Sequence, residues 1–196
     1  MSGPGPGRQP LRIIIGAGRT AQDGWISTNR AELDLLLPQS WERFLPHGTA
    51  DALLAEHVWH YLDEEQGARA ARLCFRHLSP RGYLRIAVPD GLHPDPNYID
   101  WVKPHGTGPS APVHKVLYDY RSLSGSLRAA GFNVTLLEYF DEYGVFHQKD
   151  WDPGDGFIRR SARFDSRNAG GRLRYTSLIL DAGRTDNPGP ESGGRG

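Results

Sequence analysis

The chain has 196 residues, 38% hydrophobic, 23% charged and 10% aromatic, with 23 basic and 23 acidic side chains, the profile of one soluble globular domain. Zero net charge leaves no overall field to hold a polyanion, so nucleic acid is not the expected partner. No apolar run nears the roughly 20 residues that span a bilayer and the N-terminus carries no apolar signal region, so a cytoplasmic protein without a membrane partner is expected, as monomer or homodimer.

Residues 1–10 and 183–196 are rich in glycine and proline and are expected to be disordered tails around one domain at 11–182. Leu11 to Ile15 is a β-branched run that predicts a strand buried on both faces, ending at Gly16. Trp25 to Thr28 and Leu33 to Leu36 read as short extended segments, and Ser40 precedes Trp41, Phe44 and Leu45 at helical spacing. Ala50 to Ala55 predicts another strand and Glu64 to Leu78 a helix, in which Ala71, Cys74, Phe75 and Leu78 share one face. That face assigns Cys74, the one cysteine, to core packing; a single thiol excludes an internal disulfide. Ser79 to Gly82 reads as the turn that stops this helix, and Tyr83 to Val88 as the next strand.

Asp90 to Pro112 holds five prolines and predicts a long loop with a short helix near Tyr98 to Val102. Loops of that length are usually functional. Tyr120 to Ala130 predicts a helix closed by Gly131, with strands at Val134 to Tyr139 and Arg174 to Leu180 and a region without clear periodicity at Asp141 to Gly171. Strands alternating with helices predict an α/β fold with a mostly parallel sheet and helices on both faces.

Gly16-Ala17-Gly18, directly after a buried strand, is the turn chemistry that lets backbone approach a ligand at the C-terminal edge of a parallel sheet. Gly16-x-Gly18-x-x-Ala21 matches the spacing of the dinucleotide fingerprint, yet Asp23-Gly24 leaves no room for the helix that a pyrophosphate needs. This argues against NAD and FAD.

The blocks LRIIIGAG, GWISTN, LDLLLP, DALLAEHVWHYL and LSPRGYLRIAVPDG, in this order, resemble the class I S-adenosylmethionine-dependent methyltransferases. More narrowly the chain is similar to a small methyltransferase type 11-like group in which a compact loop replaces the first crossover helix, with PDGLHPDPNYIDWVKPHGTGP, HKVLY and DGFIRRSARF as later counterparts. The resemblance implies a Rossmann-like three-layer sandwich with a sheet of about seven strands, S-adenosylmethionine as cofactor, and a small-molecule or glycan acceptor. It implies that Gly16, Ala17 and Gly18 form the bend under the methionine part, and that Asn29 stands where the family has an acid for the ribose hydroxyls. Leu35 and Leu36 would sandwich the adenine or simply belong to a buried strand. Glu56 and His57 would fall where cofactor and acceptor meet, while His60 and Tyr61 replace the Glu and second His of the family's His-Val-Leu-Glu-His-Leu pattern.

Methyl transfer from a sulfonium needs positioning above all, and a base only when the acceptor must lose a proton. His57 is the first candidate base, with a backbone-bonded structural histidine as the competing reading. Asp90 is a second base or orienting group, or a turn cap. His105 and His114 flank the long loop and either reach the cleft or order that loop. Tyr98, Trp101, Tyr118 and Trp151 line an acceptor pocket or the core. Arg159, Arg160, Arg163 and Arg167 form either a salt-bridged surface or a guanidinium clamp for a phosphate or carboxylate on the acceptor. No metal site is expected: His57 and His60 lack a third ligand, and Asp150, Asp152 and Asp155 lack the closing glutamate of a calcium loop. A noncatalytic binding module that retains the methyltransferase fold is the alternative function.

Overall fold

Ile13, Ile14 and Ile15 are all buried; stiff β-branched side chains favour an extended backbone, and alternation sends Ile13 and Ile15 into one layer and Ile14 into the other. They build β1 (Arg12–Ile14) in a computed structural model that describes residues 9–46 and 49–184. β1 lies between β2 (Ile26–Ser27) and β3 (Ala50–Glu56), parallel to both, and β3 pairs in parallel with β4 (Leu78–Pro89). β5 (Phe132–Phe140) carries β6 (Phe146–Gln148) antiparallel on its outer edge. β7 (Ser177–Arg184) runs antiparallel between β4 and β5. The seven-stranded order is β2-β1-β3-β4-β7-β5-β6, the mostly parallel, Rossmann-like sheet expected, and the connection from β1 to β2 contains turns but no helix.

One face of the sheet is covered by α1 (Pro38–Phe44), α2 (Glu64–His77) and, beyond the short α3 (Pro96–Val102), α4 (Tyr120–Ala129). Trp41, Ala70, Ala71, Cys74, Leu123 and Leu127 pack there on Leu53, Leu84, Ile86 and Leu180. Asp63 and Asp119 start α2 and α4 with capping boxes that satisfy orphan N–H groups at each first turn. The other face, with Ile14, Leu54, Tyr83, Leu137 and Ile179, is covered by Trp25, Trp151 and Ile158, the latter two on a segment whose helical turns are single 3₁₀ turns at Pro153–Asp155 and Ser166–Asn168.

Buried polar groups hold this irregular layer down. Arg85 on β4 and Asp181 on β7 form a bidentate pair at 2.7 and 2.9 Å, and Arg85 also donates to the carbonyls of Asp152 and Gly156 beneath the Trp151 ring. Glu138 on β5 accepts from the Trp151 indole, the Ala162 N–H and the Thr176 hydroxyl. Buried charges need such partners to persist.

Several elements differ from the sequence expectation. Leu33 to Leu36 forms turns and no strand: Ser40 Oγ accepts the Asp34 N–H and Asp34 accepts the Leu36 N–H, local bonds that replace ladder bonds. The helix near Ser40 begins earlier, at Pro38, whose fixed φ suits a first helical position. Ser79 to Gly82 is no turn but a bulge inside β4, since pairing jumps from Ala50↔Leu78 to Ala52↔Tyr83; the missing donor of Pro80 is tolerated in a bulge. The last strand starts at Ser177 and continues through Gly183 and Arg184, into the expected tail. The rest of the expected tails, 1–8 and 185–196, lies outside the described residues. Among the described residues no helix is long and apolar enough to cross a membrane.

Candidate functional site

The parallel strands β1, β3 and β4 end at one edge, and there β1 gives way to Gly16-Ala17-Gly18. Gly16 and Gly18 have φ of 62° and 59°, the left-handed region that glycine enters without steric cost. A Cβ on Gly16 would stand 2.7 Å from Val58 Cγ2, whereas a Cβ on Gly18 would meet nothing within 4 Å. Gly18 therefore presents bare backbone to open space. The turn is fixed from β2: Ala17 N–H donates to the Thr28 carbonyl, and Gly18 N–H donates to Asn29 Oδ1 at 2.8 Å.

Two adjoining cavities open at this edge and share Ile15, Gly16, His57 and Tyr61. The smaller, about 360 Å³, is walled by Leu33, Leu35, Leu36, Val58 and Leu62, with Asp34 as its carboxylate. The larger, about 550 Å³, is bounded by Ala17 and Gly18, by the loop from Gly108 to Ala111, and by Trp101, Arg159, Arg160 and Tyr175.

His57 follows β3 with φ of 57°, a conformation rare outside glycine and held by its N–H bond to the Ala87 carbonyl. Ser177 Oγ donates to the Arg160 carbonyl, so its oxygen accepts from His57 Nε2 at 2.9 Å. That network assigns the Nε2–H tautomer and leaves Nδ1 as the lone pair. His60 stands edge-on between its neighbours, 5.3 Å from the His57 ring and 4.3 Å from that of His114. His114 Nδ1 donates to the Val102 carbonyl at 2.7 Å, while His60 Nδ1 is buried without a partner. Burial, then the Arg160 guanidinium, hold His57 well below the usual imidazole range. Burial and the neighbouring His114 bring His60 down to about 3. Both rings are neutral at pH 7. Among the described residues no group of three His, Cys, Asp or Glu is arranged to hold a metal ion.

Gly16, Ala17, Gly18, Leu35, Leu36, Glu56, His57, His114, Arg159 and Arg160 all line the two cavities. Glu56 lines one without being free there: its oxygens accept the backbone N–H groups of Arg159 and Arg160. Six other expected residues lie elsewhere. Asn29 spends its amide on Gly18. Asp90 is fully buried, with both oxygens taken by the N–H groups of Leu92 and Phe140. Burial raises its pKa to about 6, against those two bonds. Tyr98 is buried, accepting the Asp90 N–H and donating to the Thr176 carbonyl. Tyr118 packs inside the helical face, and His105 lines a separate shallow depression beside Pro112. Trp151 is buried beneath its own segment. Of the expected clamp Arg167 also lines the larger cavity and Arg163 does not, and the structure adds Arg19, His60, Tyr61 and Tyr175 to the cavity walls. The His57-x-x-His60 spacing was the signal for His60; Arg19 and Tyr175 had none.

No family model and no curated protein matches the sequence. Among solved structures the chain is similar to a SAM-dependent methyltransferase from Archaeoglobus fulgidus, at 16% identity over 89% of this chain and 87% of that one with a TM-score of 0.52. It is similar to an S-adenosylmethionine-dependent methyltransferase from Mesorhizobium loti, at 18% identity over 90% and 92% with a TM-score of 0.51, and to a SAM-dependent methyltransferase from Thermotoga maritima, at 12% identity over 91% and 84% with a TM-score of 0.51. At these identities what is shared is the fold.

Proposed function

We propose that this chain, which has the Rossmann-like fold of the class I S-adenosylmethionine-dependent methyltransferases, binds S-adenosylmethionine and transfers its methyl group to a small-molecule acceptor. The observation that carries the reading is the pair of cavities meeting at a glycine turn. One is apolar and sized for a nucleoside, the other is polar and wider, and Gly16 and His57 belong to both. The residues fit the cofactor. Gly18 leaves space that any side chain would fill, Leu33, Leu35 and Leu36 offer the adenine an apolar wall, and Asp34, the carboxylate of that cavity, held by the Leu36 N–H and by Arg30, would give its remaining lone pairs to the ribose hydroxyls in place of Asn29.

When bound, the cofactor supplies an electrophilic methyl carbon on sulfur. The chain's own contribution is to hold an acceptor in line with that carbon and exclude water, worth about 7–11 kcal/mol in favourable cases. The loop from Gly108 to Ala111 and the Arg159-Arg160 segment form the walls that do so. For a hydroxyl or amine acceptor, His57 Nδ1 is the proton acceptor, its ring aimed by the Nε2 bond to Ser177.

Calorimetric titration with S-adenosylmethionine and S-adenosylhomocysteine tests the reading. Micromolar binding of either is expected, and failure of both to bind below about 1 mM refutes it in favour of a module that keeps only the fold.

A further inference from the structure

The larger cavity is lined by four guanidinium groups, Arg19, Arg159, Arg160 and Arg167, against a single carboxylate, Glu56. Two of the four are answered inside the protein. Asp165 takes Arg167 through two bonds of 2.7 and 2.6 Å, and Glu56 approaches Arg160 at 3.4 Å. Among the described residues no carboxylate pairs with Arg19 or Arg159. His57 and His60 on the same wall are neutral and add nothing to this charge. Arg159 and Arg160 are also well placed as a pair: Ile158 before them and Ser161 after them are completely buried, and Glu56 fixes both of their backbone N–H groups. Trp101 and Tyr61, 52% and 38% exposed, give the same cavity two flat faces.

Resting on the methyltransferase reading, we propose that the acceptor is a small molecule carrying an oxyanion, a carboxylate or a phosphate, held by Arg159 and Arg160. A guanidinium matches either group with two parallel N–H bonds, and an acceptor without an anion leaves the positive excess unanswered. Arg19, next to the glycine turn, would suit the carboxylate of the methyl donor, which leaves the unpaired Arg159, with Arg160 beside it held by Glu56 only at 3.4 Å, for the acceptor.

The test is calorimetric titration of the full chain, with and without S-adenosylhomocysteine, using phenyl phosphate, benzoate and the neutral benzyl alcohol. One of the two oxyanions is expected to bind at least about tenfold more tightly than benzyl alcohol, and the stronger of them identifies the group. Arg159→Ala and Arg160→Ala are each expected to weaken that oxyanion about tenfold or more while leaving S-adenosylhomocysteine affinity within about twofold. Arg159→Gln takes the place of a variant whose melting curve shows it unfolded. Equal binding of all three probes, or oxyanion affinity unchanged in the folded variants, overturns the proposal. An oxyanion bound normally by a protein that does not bind S-adenosylhomocysteine keeps the anion site and overturns the methyltransferase reading instead.

Discussion

Gly16 and Val58 offer the sharpest test of the turn on which the site is built. An alanine at φ of 62° costs about 1–2 kcal/mol in left-handed strain, and its Cβ would stand 2.7 Å from Val58 Cγ2, adding overpacking of about 1–3 kcal/mol. Gly16→Ala is therefore expected to lose about 2–5 kcal/mol. Val58→Ala removes two half-buried methyl groups, about 1 kcal/mol at the usual value per buried carbon. In Gly16→Ala/Val58→Ala the overpacking disappears while the strain stays. The double variant is then expected to be more stable than the sum of the singles by about 1–3 kcal/mol. Urea unfolding of the four proteins closes this cycle. Gly18→Ala serves as control, because its Cβ meets nothing: it carries the strain alone and shows no coupling to Val58. A Gly16 coupling within about 0.5 kcal/mol of zero would mean that the turn does not approach Val58, and the cradle assigned to the cofactor would fall with it.

Asp181→Leu strands the buried Arg85 guanidinium and is expected to cost about 3–5 kcal/mol, most of which Arg85→Met/Asp181→Leu returns; a double variant no more stable than Asp181→Leu in denaturant contradicts this account. Asp90, at about 6 when folded against 3.8 as its ordinary value, makes the folded state bind more protons between those pH values. Stability therefore falls as pH rises from 3.8 to 6, by about 3 kcal/mol in all; Asp90→Asn should flatten that slope, and equal slopes in wild type and variant argue against it. Asn29→Ala removes the acceptor that fixes Gly18 and should weaken S-adenosylhomocysteine about fivefold, roughly one hydrogen bond, whereas Asn29→Asp retains it; unchanged affinity in Asn29→Ala would dissociate the turn from cofactor binding.

The sequence made the parallel core readable because its strands are β-branched or apolar throughout, as in LRIII, DALLAE and YLRIAVP, and because α2 and α4 show helical spacing. The glycine turn was equally legible, for only glycine gives bare backbone at positive φ. The second face was not. It is covered by a segment without periodicity, and its anchors are single polar residues inside apolar strands: Arg85, Glu138 and Asp181. Each reads as an oddity until the sheet order sets β7 between β4 and β5 and brings Arg85 opposite Asp181. The same gap left Asp90 and Tyr98 with two readings each, and the long loop decides them by folding back: Asp90 is buried as the cap of its own turn, and Tyr98 joins the core. Asp34 escaped notice because Leu33 to Leu36 read as strand, which would have turned its side chain into a layer instead of toward a cavity.

The acids at the strand ends decide what chemistry remains. Glu56 at the end of β3, Asp90 after β4 and Glu138 within β5 each accept at least one backbone N–H from a loop segment beside the site, so their oxygens are committed to loop geometry. What faces the larger cavity is then guanidinium charge and the neutral imidazoles of His57 and His60. Such a wall stabilises an anion in the ground state and offers a proton the lone pair of His57, whose basicity burial suppresses first and the Arg160 charge second. An oxyanion seated on Arg159 and Arg160 would screen that charge and raise the affinity of His57 for a proton, so the base is strengthened by the acceptor that requires it. Measured by the histidine ring resonances, the His57 pKa should rise when benzoate or phenyl phosphate is added to wild type and stay fixed in Arg160→Ala; no movement in wild type would separate the anion site from the base.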